Sequence, residues 1–539
     1  MDTNADGRPV DAPGDEAGES QPSGESPPPG LSLASALVAA AVLLPLVWLV
    51  KLGVDVGFTE ATSLLLRPRT LEVAANSAVL VVAVTAASVL VGVPLAYLTV
   101  RTDLPFGRFW TVAVSLPLVV PSYVGAFAFV TAFGPRGALA RALGVELPRL
   151  HGLAGTVLVL TLYTYPYVYI TARASLKSMD STLVEAARTL RHTRFQAFRR
   201  VTAPHIRPAV AAGSLLVALY ALSDFGTPAI MGFDAFTRVI FVEFNSFGRD
   251  LAALLSLQLV AITLLVLALE SRVRGDERAG GGGRTTADVR LGRWRLPALA
   301  FCGALVVLAL VVPLAVLGVW FVRGASGVGS TTLGFQWGYV VNSVGVATAT
   351  ALAAVVLALP VSYLAARHDG PLATLAERAT YVGYAVPGVV IGLALVFLGT
   401  SYARPVYQTL YLLVFAYVVR FLPQAVGSLR ASFVRVDPAL PEAARTLGRT
   451  STGAFREVTL PLVAPGLFGG MALVFLTTMK ELDATLFLAP TGFDTLVTRI
   501  WSAYSQGYFG YAAAPALILL GVSALSMAVI VSREGYDVR

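Results

Sequence analysis

The segment 182–204 reads TLVEAARTLRHTRFQAFRRVTAP, and the segment 439–461 reads ALPEAARTLGRTSTGAFREVTLP. Both contain the run Glu-Ala-Ala-Arg-Thr-Leu, then a phenylalanine, then a Val-Thr pair and a proline. The two segments lie 257 positions apart, since the first glutamate is Glu185 and the second is Glu442. A pattern of this length that occurs twice indicates an internal duplication.

The repeat extends far beyond these two segments, at a spacing of 266 residues before them and 257 residues around and after them. The repeated pairs are Asn76/Asn342, Pro94/Pro360, Tyr97/Tyr363, Arg101/Arg367, Asp103/Asp369, Pro105/Pro371, Pro121/Pro387, Pro166/Pro423, Asp180/Asp437, Glu185/Glu442, Phe198/Phe455, Pro204/Pro461, Pro208/Pro465 and Gly213/Gly470. The two copies therefore account for most of the chain.

The composition places both copies in a membrane. Of 539 residues, 56% are hydrophobic and 13% are charged, with a mean hydropathy of +0.72. Soluble domains carry about a quarter charged residues, so this composition excludes them. Apolar runs of about 20 residues, enough to cross a hydrocarbon core as a helix, recur along the chain. The predicted spans are 31–52, 75–99, 109–133, 151–175, 208–231, 249–270, 296–321, 343–366, 379–400, 406–430, 465–489 and 508–532.

These spans predict an all-α, multi-pass protein of the cell membrane, with two six-helix repeats in the same orientation around a central axis. The predicted regions are a disordered acidic tail at 1–30, a first half at 31–273, a Gly-rich cytoplasmic linker at 274–294 and a second half at 295–539. The net charge of +8 lies mainly in loops on one side, which predicts cytoplasmic termini and contact with membrane lipid, not nucleic acid.

The sequence offers no constellation for catalysis or for a resident metal. The three lysines are Lys51, Lys177 and Lys480, and none lies in the Gly-Lys-Ser/Thr context of an ATP-binding P-loop. The four histidines form no H-x-x-x-H pair, and Cys302 is the one cysteine. We therefore predict that the chain is not an enzyme and holds no metal or cofactor of its own.

The duplicated Glu-Ala-Ala segment resembles the EAA loop of binding-protein-dependent ABC importer permeases. The resemblance implies the type I ABC importer permease fold, with a short coupling helix in each loop that docks on a cytoplasmic ATPase. It also implies two ATPase copies, which use ATP and Mg²⁺, and an extracytoplasmic substrate-binding protein. The implied coupling residues are Glu185, Ala186, Ala187, Arg191, Pro204, Glu442, Ala443, Ala444, Gly448 and Pro461.

The glutamates of these loops allow a second, structural interpretation, and the first loop departs from the family pattern at one position. Thr182 and Glu185 fit a helix capping box, and Pro441 fits the first turn of a helix, so both glutamates can also stabilise helix starts. Arg191 stands where the family pattern has glycine, which puts the bend of the first loop, or its contact with the ATPase, in question.

Acidic residues lie within the fifth predicted span of each half. Asp224 and Glu481 are repeat equivalents, and Asp483 is two residues further on. Ionisable groups inside a membrane usually face an aqueous cavity, so we predict that these three residues line the outer half of a translocation path. The alternative is structural: Lys480 neutralises an acid locally, and Asp224 caps a broken helix.

The residues around these acids indicate which subfamily of ABC importer permeases the chain resembles. The stretches 223–228 and 233–238 of the first half, with 480–486 and 492–501 of the second, resemble the fused permeases of ferric-iron importers, with thiamine importers as close relatives. The alternatives are an ABC permease for thiamine, polyamine or an oxyanion and, more distantly, a secondary transporter of the major facilitator type. We further expect Asn76 and Asn342 to make hydrogen bonds between helices.

Overall fold

The computed structural model describes residues 27–134, 137, 144, 146–191, 193–246, 248–275, 289–325 and 335–534. Within these ranges the regular elements are helices, apart from an isolated bridge between Thr102 and Val289. Ten helices are long and apolar enough to cross a membrane, and two bent pairs raise the number to twelve if each is one span. This confirms a multi-pass all-α protein. Most of the predicted tail and linker lies outside the described residues.

Two sets of helices correspond to the two halves. The first set is α1 Pro29–Asp55, α2 Phe58–Leu65, α3 Pro68–Arg101, α4 Gly107–Ala113, α5 Ser122–Ala132, α6 Gly152–Ser178, α7 Ser181–Thr189, α8 Arg194–Ala197, α9 Ala203–Ser223, α10 Gly226–Met231, α11 Phe236–Asn245 and α12 Arg249–Gly275. The second set is α13 Arg295–Val306, α14 Val312–Ala325, α15 Trp337–Arg367, α16 Pro371–Ala385, α17 Gly388–Ser401, α18 Leu410–Arg435, α19 Ala439–Thr446, α20 Ser451–Ala454, α21 Leu460–Met479, α22 Asp483–Leu488, α23 Leu496–Ser505 and α24 Phe509–Glu534.

The third span of each half is broken, so the straight spans predicted there are wrong. The chain turns by 92° between Gly107–Val119 and α5, and by 102° between α16 and α17. Pro121 and Pro387 lie at the two breaks. Proline has no N–H and forces the preceding residue out of the helical region, and the C-cap residues Val120 and Val386 are indeed extended.

The fifth predicted span of each half also ends early. α9 ends at Ser223 and α21 ends at Met479, each well before the end of the predicted span. A short helix, α10 or α22, follows each break. The acidic residues Asp224 and Glu481 therefore lie at helix breaks and not within continuous spans.

The two halves are interlocked. α1 packs against α15, α16 and α17 of the second half, and α14 packs against α5 of the first. Within each half, α3 packs along α6 and α15 along α18, as the duplication requires. The two repeat-equivalent asparagines make equivalent hydrogen bonds, but to loops rather than between helices as predicted: Nδ2 of Asn76 donates to the Asp234 carbonyl at 3.3 Å, and Nδ2 of Asn342 donates to the Asp494 carbonyl at 2.9 Å, and both acceptors lie just before a short helix.

Candidate functional site

The short helices α7 and α19 contain the two Glu-Ala-Ala runs. Each begins just after an aspartate whose carboxylate accepts a backbone N–H. Thr182 donates its N–H to Oδ1 of Asp180 at 3.0 Å, and Ala439 donates to Oδ1 of Asp437 at 2.9 Å. Thr182 thus lies inside α7, and the predicted capping box is wrong. The repeated aspartates start these helices because they satisfy donors that the first turn leaves free.

Both glutamates of the predicted coupling residues, Glu185 and Glu442, are exposed. Leu190 and Leu447, which are repeat equivalents, are 73% and 85% exposed. The two leucines thus lie exposed at matching positions, one in each half. The two coupling helices (α7 and α19) therefore present a carboxylate and a nearby leucine to the surroundings.

The described alanines of the two runs differ in burial. Ala186 lies in α7, Ala187 is buried, Ala444 is half-buried and Ala443 is exposed. Pro441 is the third residue of α19, in the first turn, as predicted. The small side chains allow the coupling helices to lie close to the rest of the fold.

The bend after each coupling helix has the same handedness in the two halves. Arg191 has φ 60° and Gly448 has φ 90°, so both are in the left-handed region. Glycine adopts this region freely, whereas arginine does so at a cost of about 1 kcal/mol. Arg191 therefore does not change the direction of the first bend. Pro204 and Pro461 follow in the first turns of α9 and α21.

A repeated arginine fixes the end of the helix that precedes each coupling helix. Nη2 of Arg101, a buried side chain, donates to the carbonyls of Leu176 at 3.2 Å and Met179 at 3.0 Å. Nη2 of Arg367 donates to the carbonyl of Val436, the repeat equivalent of Met179, at 2.6 Å. Carbonyls at a helix C-terminus lack intrahelical partners, and a cation satisfies them well.

A repeated aromatic pair holds the other side of each loop. The rings of Tyr97 and Phe198 meet edge to face with centroids 5.5 Å apart, and those of Tyr363 and Phe455 do the same at 5.8 Å. Each phenylalanine begins a π-helical segment of five residues, a form that often marks functional positions. α3 and α15 thus contact their coupling loops on both sides, through arginine and tyrosine.

A cavity of about 170 Å³ lies where the two halves meet. Its lining includes all three acids that the sequence singles out. The polar and aromatic lining residues are Ser122, Tyr123, Tyr167, Tyr220, Ser223, Asp224, Tyr384, Arg420, Phe421, Gln424, Thr477, Lys480, Glu481 and Asp483. The structure therefore brings Asp224 of the first half together with Glu481 and Asp483 of the second.

The two repeat-equivalent acids also have a structural role. Thr227 donates its N–H to Oδ2 of Asp224 at 2.9 Å, and Ala484 donates its N–H to Oε1 of Glu481 at 3.1 Å. In both halves the carboxylate thus accepts from a backbone N–H of the short helix that follows the break. Helix capping and exposure to the cavity coexist, because a carboxylate has several lone pairs to share.

The counter-ion of the second-half acids is Arg420, which the sequence analysis missed. Nη1 of Arg420 lies 2.5 Å from Oε1 of Glu481 and 3.7 Å from Oδ2 of Asp483. Lys480 instead donates to the Leu118 carbonyl at 3.1 Å and forms no ion pair with the described residues, so the predicted local neutralisation is wrong. An arginine inside the predicted span 406–430 was the available signal.

The first-half acid has neutral partners. The Ser122 hydroxyl donates to Oδ1 of Asp224, and the Tyr220 hydroxyl donates to Oγ of Ser122 at 3.2 Å. The repeat equivalent of Ser122 is Gly388, where an added Cβ would overlap the Arg420 guanidinium. The missing side chain at Gly388 thus makes room for the arginine.

Comparison with known proteins identifies this architecture. The chain matches the family described as "Binding-protein-dependent transport system inner membrane component" over residues 88–273 and 358–533, once in each half. The chain belongs to this family and is a fused ABC importer permease of the type I fold. The major facilitator alternative is therefore wrong.

Several relatives carry more specific names. The chain is 32% identical to the "Fe(3+)-transport system permease protein FbpB 2" of Haemophilus influenzae, over 90% of this chain and 94% of the relative. It is 24% identical to the "Ferric transport system permease protein FbpB" of Actinobacillus pleuropneumoniae, over 76% and 63%. A probable molybdenum ABC transporter permease of Haloferax volcanii is 34% identical over 43% of this chain and 87% of the relative.

Proposed function

We propose that this permease imports ferric iron. The observation that carries the proposal is the similarity to the Haemophilus influenzae ferric permease, which extends over nearly the full length of both chains. The similarity to the molybdenum permease spans less than half of this chain, the length of one repeat. A cavity lined by Asp224, Glu481 and Asp483 supports a cation as the substrate.

The three carboxylates belong to the translocation path in this proposal. Carboxylates in a low-dielectric wall attract a multiply charged cation far more strongly than they would in bulk water. The continuous helix Phe195–Ser223 has 29 residues and is about 43 Å long at the usual helical rise, with the first coupling loop at one end and Asp224 at the other. Asp224 therefore lies at the far end of this helix from the first coupling loop, and the second-half acids lie level with the middle of α18, where Arg420 contacts Glu481.

The coupling helices receive the ATPase in this proposal. Two copies of a cytoplasmic ATPase subunit, which bind ATP and Mg²⁺, dock at α7 and α19, and an extracytoplasmic binding protein delivers the substrate. The exposed glutamate and leucine of each loop fit recognition of a short helix in a groove. Both chain termini are then cytoplasmic, on the side of the basic coupling loops.

Uptake by cells with and without the gene tests the substrate. We expect deletion to abolish energy-dependent uptake of radiolabelled ferric iron and to leave uptake of thiamine, a polyamine and molybdate unchanged. Restoration by the plasmid-borne gene is the control. Loss of uptake of one of the other three substrates, with ferric uptake intact, would overturn the iron assignment and leave the ABC permease in place.

A double variant tests coupling. We expect Glu185→Ala with Glu442→Ala to fold and insert normally but to lose co-purification of the ATPase and ATP-driven transport. Glu60→Ala is the matched control, because Glu60 is also an exposed glutamate but lies in α2, outside both coupling loops. Full ATP-driven transport by the double variant would contradict the role of these two residues.

A further inference from the structure

Arg420 lies in the middle of α18, a helix apolar enough to span the membrane. Its side chain is 16% exposed, and those of Glu481 and Asp483 are 7% and 11% exposed. A charged group at such a position is costly unless a partner compensates it, and the guanidinium contacts both carboxylates. The three side chains form a compact ion triad in the cavity wall.

The triad depends on a position without a side chain. Gly388 is the first residue of α17, directly after the second break, and any Cβ there would overlap the guanidinium. In the first half the equivalent residue is Ser122, whose hydroxyl donates to Asp224. The same backbone position thus supplies a hydroxyl to the acid in one half and leaves space for a cation in the other.

A second observation concerns Tyr123, which is 5% exposed and lines the cavity. Its buried hydroxyl has no hydrogen-bond partner among the described residues, whereas buried hydroxyls normally have one.

The wall holds three acids, Asp224, Glu481 and Asp483, and two bases, Arg420 and Lys480. The acids would attract small cations from solution if Arg420 did not occupy Glu481 and Asp483.

We propose that Arg420 is a tethered counter-ion that closes the cavity to free cations until a transported multivalent metal cation takes its place beside Glu481 and Asp483. This inference rests on the proposed function, because it assumes that the cavity belongs to the path of a metal importer. A monovalent cation gains little from the exchange, since it brings no more charge than the guanidinium it displaces. A trivalent cation brings three charges to the same carboxylates, so its attraction is greater. Arg420 is therefore a specificity residue.

Passive cation entry tests the proposal. The permease with its ATPase is placed in liposomes that contain a dye quenched by Tl⁺, and Tl⁺ entry is followed without ATP or binding protein. We expect Arg420→Gln to raise the rate of entry by about tenfold, which corresponds to a modest lowering of the barrier, and Arg420→Lys to raise it less. Arg430→Gln is the matched control, since Arg430 lies in the same helix but pairs with Glu377 at 3.4 Å. If the Arg420→Gln complex admits Tl⁺ no faster than the wild-type complex does, the proposal is overturned.

A second variant keeps the test decisive if Arg420→Gln does not assemble. Gly388→Ala retains every charge but places a methyl group on the Arg420 guanidinium, and it also crowds the Glu481 carboxylate and Asp483 Cβ, so it forces the triad apart and we expect it also to admit Tl⁺. Assembly is checked by the ATP hydrolysis rate of each complex. A Gly388→Ala complex that hydrolyses ATP normally and excludes Tl⁺ as wild type does would overturn the counter-ion role.

Failure of this inference and failure of the proposed function give different results. If cells with the wild-type permease import radiolabelled ferric iron but neither variant admits Tl⁺, iron import stands and the counter-ion is wrong. If those cells import no ferric iron but both variants admit Tl⁺, the iron assignment is wrong and Arg420 still closes the cavity. The two experiments together therefore test the identity of the substrate separately from the counter-ion role of Arg420.

Discussion

The two halves of the permease are alike where they face the coupling loops and different where they face the cavity. Arg101 and Arg367 hold equivalent carbonyls, and Asp180 and Asp437 start equivalent helices. At the cavity, by contrast, Asp224 has hydroxyl and amide partners, whereas Glu481 has a guanidinium as well as an amide.

This difference shows which parts of a duplicated fold can diverge. Both loops keep the same aspartate caps, aromatic contacts and left-handed bend, as the proposed docking of a partner at each loop requires. The cavity is a single space shared by both halves, so its two walls need not match. The charge of Arg420, although it belongs to the second half, acts on the whole cavity.

The largest difference between the halves is expected at Arg420 and its repeat equivalent, Tyr163. Arg420→Gln should lower the free energy of unfolding by about 3 kcal/mol, because it leaves the largely buried acids Glu481 and Asp483 without a counter-ion. Tyr163→Phe should cost about 1 kcal/mol, since it removes a hydrogen bond of 3.2 Å to the Ala309 carbonyl. Thermal unfolding in detergent measures both. If the two variants lose equal free energy of unfolding, Arg420 does not stabilise the fold more than a single hydrogen bond does.

The next effect concerns the two arginines that hold helix ends. Arg101→Ala should cost about 2 kcal/mol and Arg367→Ala about 1 kcal/mol, because Arg101 is buried and bonds two carbonyls. Both should loosen the coupling loops, which hydrogen exchange of α7 and α19 measures. The conservative Arg101→Lys is the control for charge alone. Exchange unchanged in α7 of Arg101→Ala would separate this arginine from the coupling loop.

A smaller effect is expected from exchanging the residues at the two bends. Arg191→Gly should relieve about 1 kcal/mol of backbone strain, and Gly448→Arg should introduce about 1 kcal/mol, so the double exchange is nearly neutral in stability. ATP-driven transport should survive the double exchange, which transport assays would show. If Arg191→Gly alone abolishes ATPase binding while the protein stays stable, the guanidinium itself contacts the ATPase.

The smallest effect is a pH dependence at one cap. Hydrogen bonds from the Thr182 backbone and side chain hold the pKa of the Asp180 carboxyl below its ordinary value. Its contribution to stability is therefore full above the ordinary pKa and is lost as pH falls through the lowered one. Protection of the Thr182 amide against exchange should decline only under acidic conditions, and in Asp180→Asn it should not vary there. Protection that is independent of pH in the wild type would refute this role of the carboxylate.

Much of this architecture could be predicted from sequence because its signals are local or periodic. Apolar runs of about 20 residues indicate membrane helices wherever they occur. A repeat at a fixed spacing indicates equivalent positions, such as Asn76 and Asn342, whatever their contacts. The coupling helices were recognisable for the same reason, since Glu185 and Glu442 lie in matching short segments.

The errors have a common physical cause. Hydropathy averages over a window, so it treats the breaks at Pro121 and Pro387 as parts of straight spans. The residues from Thr182 to Glu185 fitted the local pattern of a capping box. In the structure the Asp180 carboxylate accepts the Thr182 N–H, and the helix begins before Thr182. Lys480 was assigned to the acids because it is next to them in sequence, although its side chain points to another helix.

The sequence by itself determined the class of protein, the duplication and the positions of the two Glu-Ala-Ala segments, because each is set by composition and spacing along the chain. Only the tertiary structure decided which groups meet in the cavity. Arg420 and Glu481 are 61 residues apart, and Ser122 and Asp224 are 102 residues apart. Such pairs form because particular helices face one another, and which helices do so depends on the packing of the whole bundle.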